Sequence, residues 1–431
     1  MSRLAINGGT KFRQKPFVEW PIHDQQEVAA VTKVIESGKW WRFAYGEGVE
    51  LREKTSGADR AQCVLFQEDF ARYHDAKYGL ACANGTAAIE IGLKALGIGP
   101  GDEVIVPSYT YVGTATAVLQ INAIPIFVDI DPRTYNMDPA RVEEAVTDRT
   151  RAIVPVHFAG QSVDLDAILT VAQKHNLFVL EDAAHAHGSE WKGRKVGAIG
   201  DLGTFSFQAS KTMTAGEGGA IVTNKAELAR MCDSYIWAGR EVGRPWYEFY
   251  RLGWNYRMTE MQGAVLRVQL SRLEEQVNRR MENAACLTQE LSQIEGIEPL
   301  YVDPRATRHG YYIYMLKFKP EVWSISKDLF MDALIAEGLD VFKGYIYPLY
   351  RNPMFLNQNF YPKGCPVSCQ HYGKPLDYAA FEKLNPVSEK ACADEAVWFK
   401  QTVLLGDKND IDDVVGAIKK VQANLNELKN R

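Results

Sequence analysis

The amino-acid sequence predicts an α/β protein, with a large, mostly parallel sheet domain followed by a smaller C-terminal α/β domain. Three observations lead there. From about residue 60 to 225, short apolar runs alternate with helical ones, as when a parallel sheet is covered by crossover helices. From Thr259, TEMQGAVLRVQLSRLEEQVNRRMENAACLTQEL predicts one long helix connecting two lobes, with Thr259 and Gln262 at capping-box spacing. Beyond about residue 295, short strands such as GYYIYMLKF mix with helices, and IDDVVGAIKKVQANLNEL places its apolar residues at helical spacing. The expected division is an N-terminal arm over 1–25, a large domain over 26–280 and a small domain over 281–431.

The large domain opens with strand YGLACAN, 78–84, which turns through Gly85 and Thr86 into helix AAIEIGLKALG. GPGDEV makes a turn into a second buried strand, VIVPS, followed by an amphipathic helix around TATAVLQ. Strand IPIFVDI, helix ARVEEAV, strand RAIVPVHF, helix LDAILTVAQKH and strand LFVLEDA continue the alternation. Polar groups recur just after these strands, where an open parallel sheet binds ligands. Residues 46–62, polar and turn-rich without apolar periodicity, are expected to form an exposed loop.

A chain of 431 residues, 46% hydrophobic and 24% charged, can bury a large core. Its net charge of −5 disfavours nucleic acid or an anionic membrane as the main partner and points to small molecules. The seven cysteines lack disulfide-framework spacing and are expected to be reduced. MSRLAINGGTKFRQKPF lacks the apolar core of an export signal, and no stretch reaches the roughly 18 apolar residues of a membrane span, so a cytoplasmic protein is expected.

Chemistry concentrates in four segments. In GTFSFQASKTMTAGEGGAIVTN, 203–224, a strand leads to Lys211 and then to a glycine-rich loop. A lysine that forms an imine with an aldehyde must lose its proton near neutral pH, which desolvation promotes. Ser206, five residues earlier, can hydrogen-bond a phosphate. In LFVLEDAAHAHG, 177–188, strand alternation sends Glu181 and Asp182 to opposite faces, so one of them can meet a shared ligand; Asp182 is the candidate, with a helix cap as its bland alternative. Such a carboxylate, paired with a pyridinium nitrogen, keeps it protonated. His185, three residues on, is preferred to His187 as a neighbour of a cofactor's phenolic oxygen. The Asn84-Gly85-Thr86 turn precedes a helix whose free N–H groups suit a phosphate. Finally, Tyr111, in preference to Tyr109, could stack on a planar cofactor, although core packing is the commoner role.

Taken together, the Asn-Gly-Thr turn, EDAAH and SFQASKTMTAGEGG resemble the DegT/StrS family of sugar aminotransferases. The resemblance extends through LAINGG, ESGKWWR, GIGPGDEVIVPSYT, VDIDPRTYNMDP, PVHFAGQSVDLDAI and LGWNYRMTEMQGAV. It implies a pyridoxal-phosphate-dependent transferase of fold type I, aspartate-aminotransferase-like, working as a homodimer with shared active sites. By position it makes Lys211 the lysine that carries the cofactor, Asp182 the partner of the ring nitrogen and His185 its neighbour. Gly85, Thr86 and Ser206 become the phosphate cup, Tyr111 the stacking aromatic, and Asn255 a residue reaching the phosphate of the other subunit. The implied reaction moves an amino group from glutamate or glutamine to a ketone on a sugar, often nucleotide-linked, or on a cyclitol.

Two branches come nearest, the inosose aminotransferases and the 3-amino-5-hydroxybenzoate synthases, so dehydration and aromatisation of an aminated ring is the alternative. A non-enzymatic relative is disfavoured by the intact lysine. The segment KGCPVSCQHYGKPLDY, 363–378, is expected to be an elaboration in the small lobe. Its Cys365, Cys369 and His371 depart from zinc spacing and lack a fourth ligand, so no metal is expected.

Overall fold

The computed structural model describes residues 3–42, 60–361 and 364–429; the expected loop at 46–62 lies almost wholly outside them. The large sheet contains β1 (Tyr78–Cys82), β2 (Glu103–Pro107), β3 (Ile124–Val128), β4 (Thr150–Ile153) and β5 (Phe178–Asp182). After a two-stranded hairpin, β6 (Glu190–Trp191) and β7 (Arg194–Lys195), come β8 (Leu202–Ser206) and β9 (Gly219–Thr223). The order is β1-β9-β8-β5-β4-β2-β3, with β9 antiparallel to both neighbours and the remaining pairs parallel.

Helices α2 (Gln62–Tyr73), α3 (Gly85–Ala95), α4 (Gly113–Gln120), α5 (Pro139–Ala145), α6 (Leu165–His175) and α7 (Ala226–Ile236) surround this sheet, while α1 (Gln25–Ser37) is tied through Glu27 to Gln269 and Arg272 of the long helix. Strand alternation divides the core in two. Val104, Val106 and Leu180 pack with Ala88, Ile91 and Cys232 of α3 and α7. Their sequence neighbours Ile105 and Val179 face the other way, toward Phe66, Phe70 and Ile168 of α2 and α6.

The long helix is present as α8 (Glu260–Leu291), and the Thr259 N–H donates to Gln262 Oε1 at 3.0 Å. Its first half packs Leu266, Leu273 and Val277 into the large-sheet core, while Ala284, Leu287 and Leu291 enter the core of a second sheet. That sheet is antiparallel, ordered β10 (Ile297–Pro299), β11 (Ile313–Phe318), β13 (Ala396–Lys400), β12 (Val341–Phe342). Helices Lys327–Ala336 and Lys408–Ala423 cover it, and Leu4 from the N-terminal segment joins the same core.

The segment after β12 returns to the large sheet. Phe355, Tyr378 and Phe381 surround Phe127 of edge strand β3 at ring separations of 5.0 to 5.8 Å. Val367 and Tyr372 belong to the same cluster, so the 363–378 elaboration, expected in the small lobe, instead packs much of its length on large-sheet side chains. Burying aromatic area against an edge strand explains why so polar a stretch is held in place.

Candidate active site

The C-terminal ends of β1, β2, β5 and β8 open into one cavity of about 630 Å³. At the end of β1, Asn84 caps α3 by accepting the Ala87 N–H at 2.8 Å. The first amides of the helix, on Gly85 and Thr86, have no helical partner and offer a dipole end suited to an anion. Gly85 is dictated by contact, because a Cβ there would stand 2.7 Å from Ser206 Cβ at the end of β8. Gly85→Ala should therefore push α3 off β8 and weaken affinity for a phosphate-bearing ligand by about tenfold, one hydrogen bond's worth, read as a raised Kd in a fluorescence titration; unchanged affinity would show that the close contact does not shape the cup.

Asp182 ends β5 and lines the cavity, 4% exposed. Its Oδ2 accepts from Thr114 Oγ1 at 2.8 Å and its Oδ1 from the Ala184 N–H at 3.2 Å. Burial raises its pKa above the ordinary carboxylate value, opposed by the Thr114 hydrogen bond and by Lys211. Glu181 has a different neighbourhood: it accepts from the Gly197, Ile199 and Gly200 amides and pairs with His157 Nε2 at 3.0 Å. Alternation along β5 has separated a carboxylate at the cavity from one that ties loops together.

The two histidines also separate. His185 lines the cavity, while His187 is fully buried between Phe205 and Phe207 with its Nδ1 3.2 Å from Thr212 Oγ1. Burial first, then nearby Lys211, holds His185 well below the ordinary imidazole pKa, so its ring is neutral at pH 7. Its Nδ1 is buried and without a hydrogen-bond partner among the described residues.

Lys211 follows β8 and lines the same cavity. Desolvation lowers its pKa to about 8, against the raising influence of Asp182. Its Nζ lies 4.3 Å from the ring centroid of Tyr312, which also packs on the His185 ring at 4.3 Å. Tyr111 lines the cavity with 60% of its surface exposed, whereas Tyr109 is buried and accepts from Trp398 Nε1 at 3.1 Å.

Gly85, Thr86, Tyr111, Asp182, His185, Ser206 and Lys211 thus share one cavity; Asn255 does not line it and is exposed beside its bridge partner Trp237. Sequence reasoning missed Thr114 and Tyr312. A threonine inside a helix carries no local signal, and Tyr312 arrives from the other lobe. A second cavity of about 510 Å³, walled by Trp20, Phe342 and Trp398, meets the first at Ser210 and Tyr312.

Residues 22–393 match the model of the DegT/DnrJ/EryC1/StrS aminotransferase family. The chain belongs to this family. The aminotransferase is 41% identical, over 99% of its length and 100% of the relative's, to a protein of Streptoalloteichus tenebrarius provisionally named L-glutamine:3-amino-2,3-dideoxy-scyllo-inosose aminotransferase. It is 36% identical, over 99% of both chains, to the L-glutamine:2-deoxy-scyllo-inosose aminotransferase of the same organism. Among solved structures it resembles 3-amino-5-hydroxybenzoic acid synthase, with a TM-score of 0.83 and 32% identity over 95% of this chain and all of that one. The family assignment makes the aminotransferase a pyridoxal-phosphate-dependent enzyme, and the expected α/β fold of that class is the one observed. Among the described residues, no helix is long and apolar enough to cross a membrane.

Proposed function

We propose that the aminotransferase holds pyridoxal 5'-phosphate in the larger cavity and works in the cytoplasm, transferring an amino group from L-glutamine to the ketone of a cyclitol. The observation that carries this is a lysine of lowered pKa and a buried carboxylate in one cavity, beside the first turn of a helix. The names of the inosose aminotransferases support the donor and the acceptor class.

The residues fit this cofactor group by group. The first-turn amides of α3 with the Thr86 and Ser206 hydroxyls would hold its phosphate, Asp182 its ring nitrogen, and His185, whose buried Nδ1 lacks a partner among the described residues, its ring oxygen. When bound, pyridoxal phosphate supplies an electron-accepting ring. Asp182 preserves that capacity by keeping the ring nitrogen protonated. Lys211 would hold the cofactor through its amine, and the same amine is placed to take and return the proton at the reacting carbon. Tyr111, which lines the cavity, would cover one ring face.

Because Lys211 reacts as the neutral amine, cofactor uptake by the cofactor-free protein should quicken about tenfold per pH unit up to about pH 8 and then level off. Stopped-flow absorbance measures this, and a flat profile from about pH 6 to about pH 8 would remove Lys211 titration from the reading.

Asn255 serves the phosphate of a second copy in a homodimer with shared active sites. Supporting this, the preceding segment leaves Tyr247 and Leu252 82% and 78% exposed, as an uncovered interface would. Mixing Asn255→Ala with Lys211→Met protein should form hybrid dimers with one intact site and recover activity that neither variant has alone. No recovery after verified subunit exchange would sink the shared site.

The likeness to 3-amino-5-hydroxybenzoic acid synthase favours a second reading, dehydration and aromatisation of an aminated ring. Mass spectrometry after incubation with L-glutamine and a keto-cyclitol decides between them. Exchange of the ketone oxygen for an amino group supports transamination; loss of water from an aminated ring supports the second reading. A colourless protein that takes up no pyridoxal phosphate would overturn both.

A further inference from the structure

Arg280, about two-thirds of the way along α8, is completely buried, and no carboxylate pairs with it among the described residues. A guanidinium without a counter-ion is costly to bury, and burial lowers its pKa to about 9. Among the described residues its hydrogen bonds are to neutral groups. Nε donates to the Gly310 carbonyl at 2.9 Å, Nη1 donates to Gln401 Oε1 at 3.1 Å, and Nη2 has no partner among the described residues.

Both partners lead to the active site. The amide nitrogen of Gln401, itself 3% exposed, donates to the carbonyls of Ser210 and Lys211, each at 3.2 Å. Gly310 is pinned as well, its N–H shared between Ser189 Oγ at 3.0 Å and the Gly160 carbonyl at 3.1 Å. Two residues after Gly310 stands Tyr312, whose hydroxyl is 2.8 Å from Ser210 Oγ and whose ring faces the Lys211 amine. One side chain therefore holds, directly or through one amide, the two strand ends that bracket the lysine.

We propose that Arg280 and Gln401 are positioning residues, fixing the main chain beneath Lys211 and the approach of Tyr312 and thereby the reach of the lysine amine. The proposal rests on the reading of Lys211 as the cofactor lysine. The buried charge suits this task because guanidinium is a planar fork with fixed donor directions, so two acceptors on different elements are held at a set separation.

Gln401→Glu separates positioning from stability. A carboxylate still accepts from Arg280 Nη1, now as an ion pair, but cannot donate to the Ser210 and Lys211 carbonyls. The melting temperature should equal or exceed the parent's, while kcat falls about 10- to 100-fold, with KM for L-glutamine within about twofold. The pH midpoint of the visible cofactor band, which reports the environment of the lysine nitrogen, should move by at least about half a unit. Gln401→Met, which loses both contacts, should lower kcat comparably and also melt lower. Arg280→Met should do the same where it folds, and Arg280→Lys should recover part of the rate.

Parental kcat and band titration in Gln401→Glu would overturn the proposal. So would rate losses that merely follow melting temperature across the series. Lys211→Met serves as the control: if it turned over normally, the reading of the lysine would fail, whereas its inactivity beside fully active Gln401 variants would reject the bracket alone.

Discussion

Replacing Lys211 with methionine should reduce turnover by at least about ten-thousand-fold, since covalent cofactor binding and proton transfer at the reacting carbon depend on one amine. Methionine is the informative choice because it nearly fills the volume of the lysine stem and leaves no hole beside Tyr312. The stability of the cofactor-free protein should change in the opposite direction. The folded pKa of Lys211 is about 8 against an ordinary value of 10.5, so the unfolded chain binds this proton more tightly. The resulting penalty is full below about pH 8 and fades as pH rises toward 10.5. The variant should therefore melt above the parent at about pH 7, with the gain shrinking through that window, as scanning calorimetry would show. A variant that retained turnover would end the proposed chemistry; one that melted lower throughout would show that the amine makes contacts worth more than its desolvation costs.

Asp182→Asn should lower kcat by about a hundred- to a thousand-fold, the range expected when one preorganised electrostatic contact is lost from a water-poor site. Asparagine can still accept from Thr114, but its NH2 cannot accept from the Ala184 N–H, so the effect combines loss of charge with loss of that one 3.2 Å bond. A neutral partner no longer holds a ring nitrogen protonated. The same substitution removes the group that raises the Lys211 pKa, so the pH midpoint for cofactor uptake should fall below about 8. Steady-state kinetics alongside the uptake profile tests both effects. Parental kcat with a shifted midpoint would mean that Asp182 acts on the lysine alone.

The sequence made legible what lies close together along the chain. Gly85 and Thr86 adjoin the end of β1, Asp182 ends β5, and Ser206 and Lys211 flank the exit of β8, so local pattern and strand alternation were enough to single them out. Long-range groups left no such trace. Thr114 reaches Asp182 across 68 residues, Gln401 reaches Lys211 across 190, and Arg280 was one arginine among many on a helix. The packing of Phe355 and Tyr378 on Phe127 was hidden for a related reason, because those residues follow small-sheet strand β12 in sequence yet fold back onto the large sheet.

The two cavities meet at Ser210 and Tyr312 but have largely different walls. Gly85, Asp182, Ser206 and Lys211 of the first stand at strand ends of one sheet, while Phe342, Trp398 and Lys400 of the second belong to the other. Strand register, which fixes the first set as a unit, places no constraint on the second. The separation stops at Gln401, which lines the second cavity yet donates to the Ser210 and Lys211 carbonyls, so a change in that wall is felt at the lysine of the first.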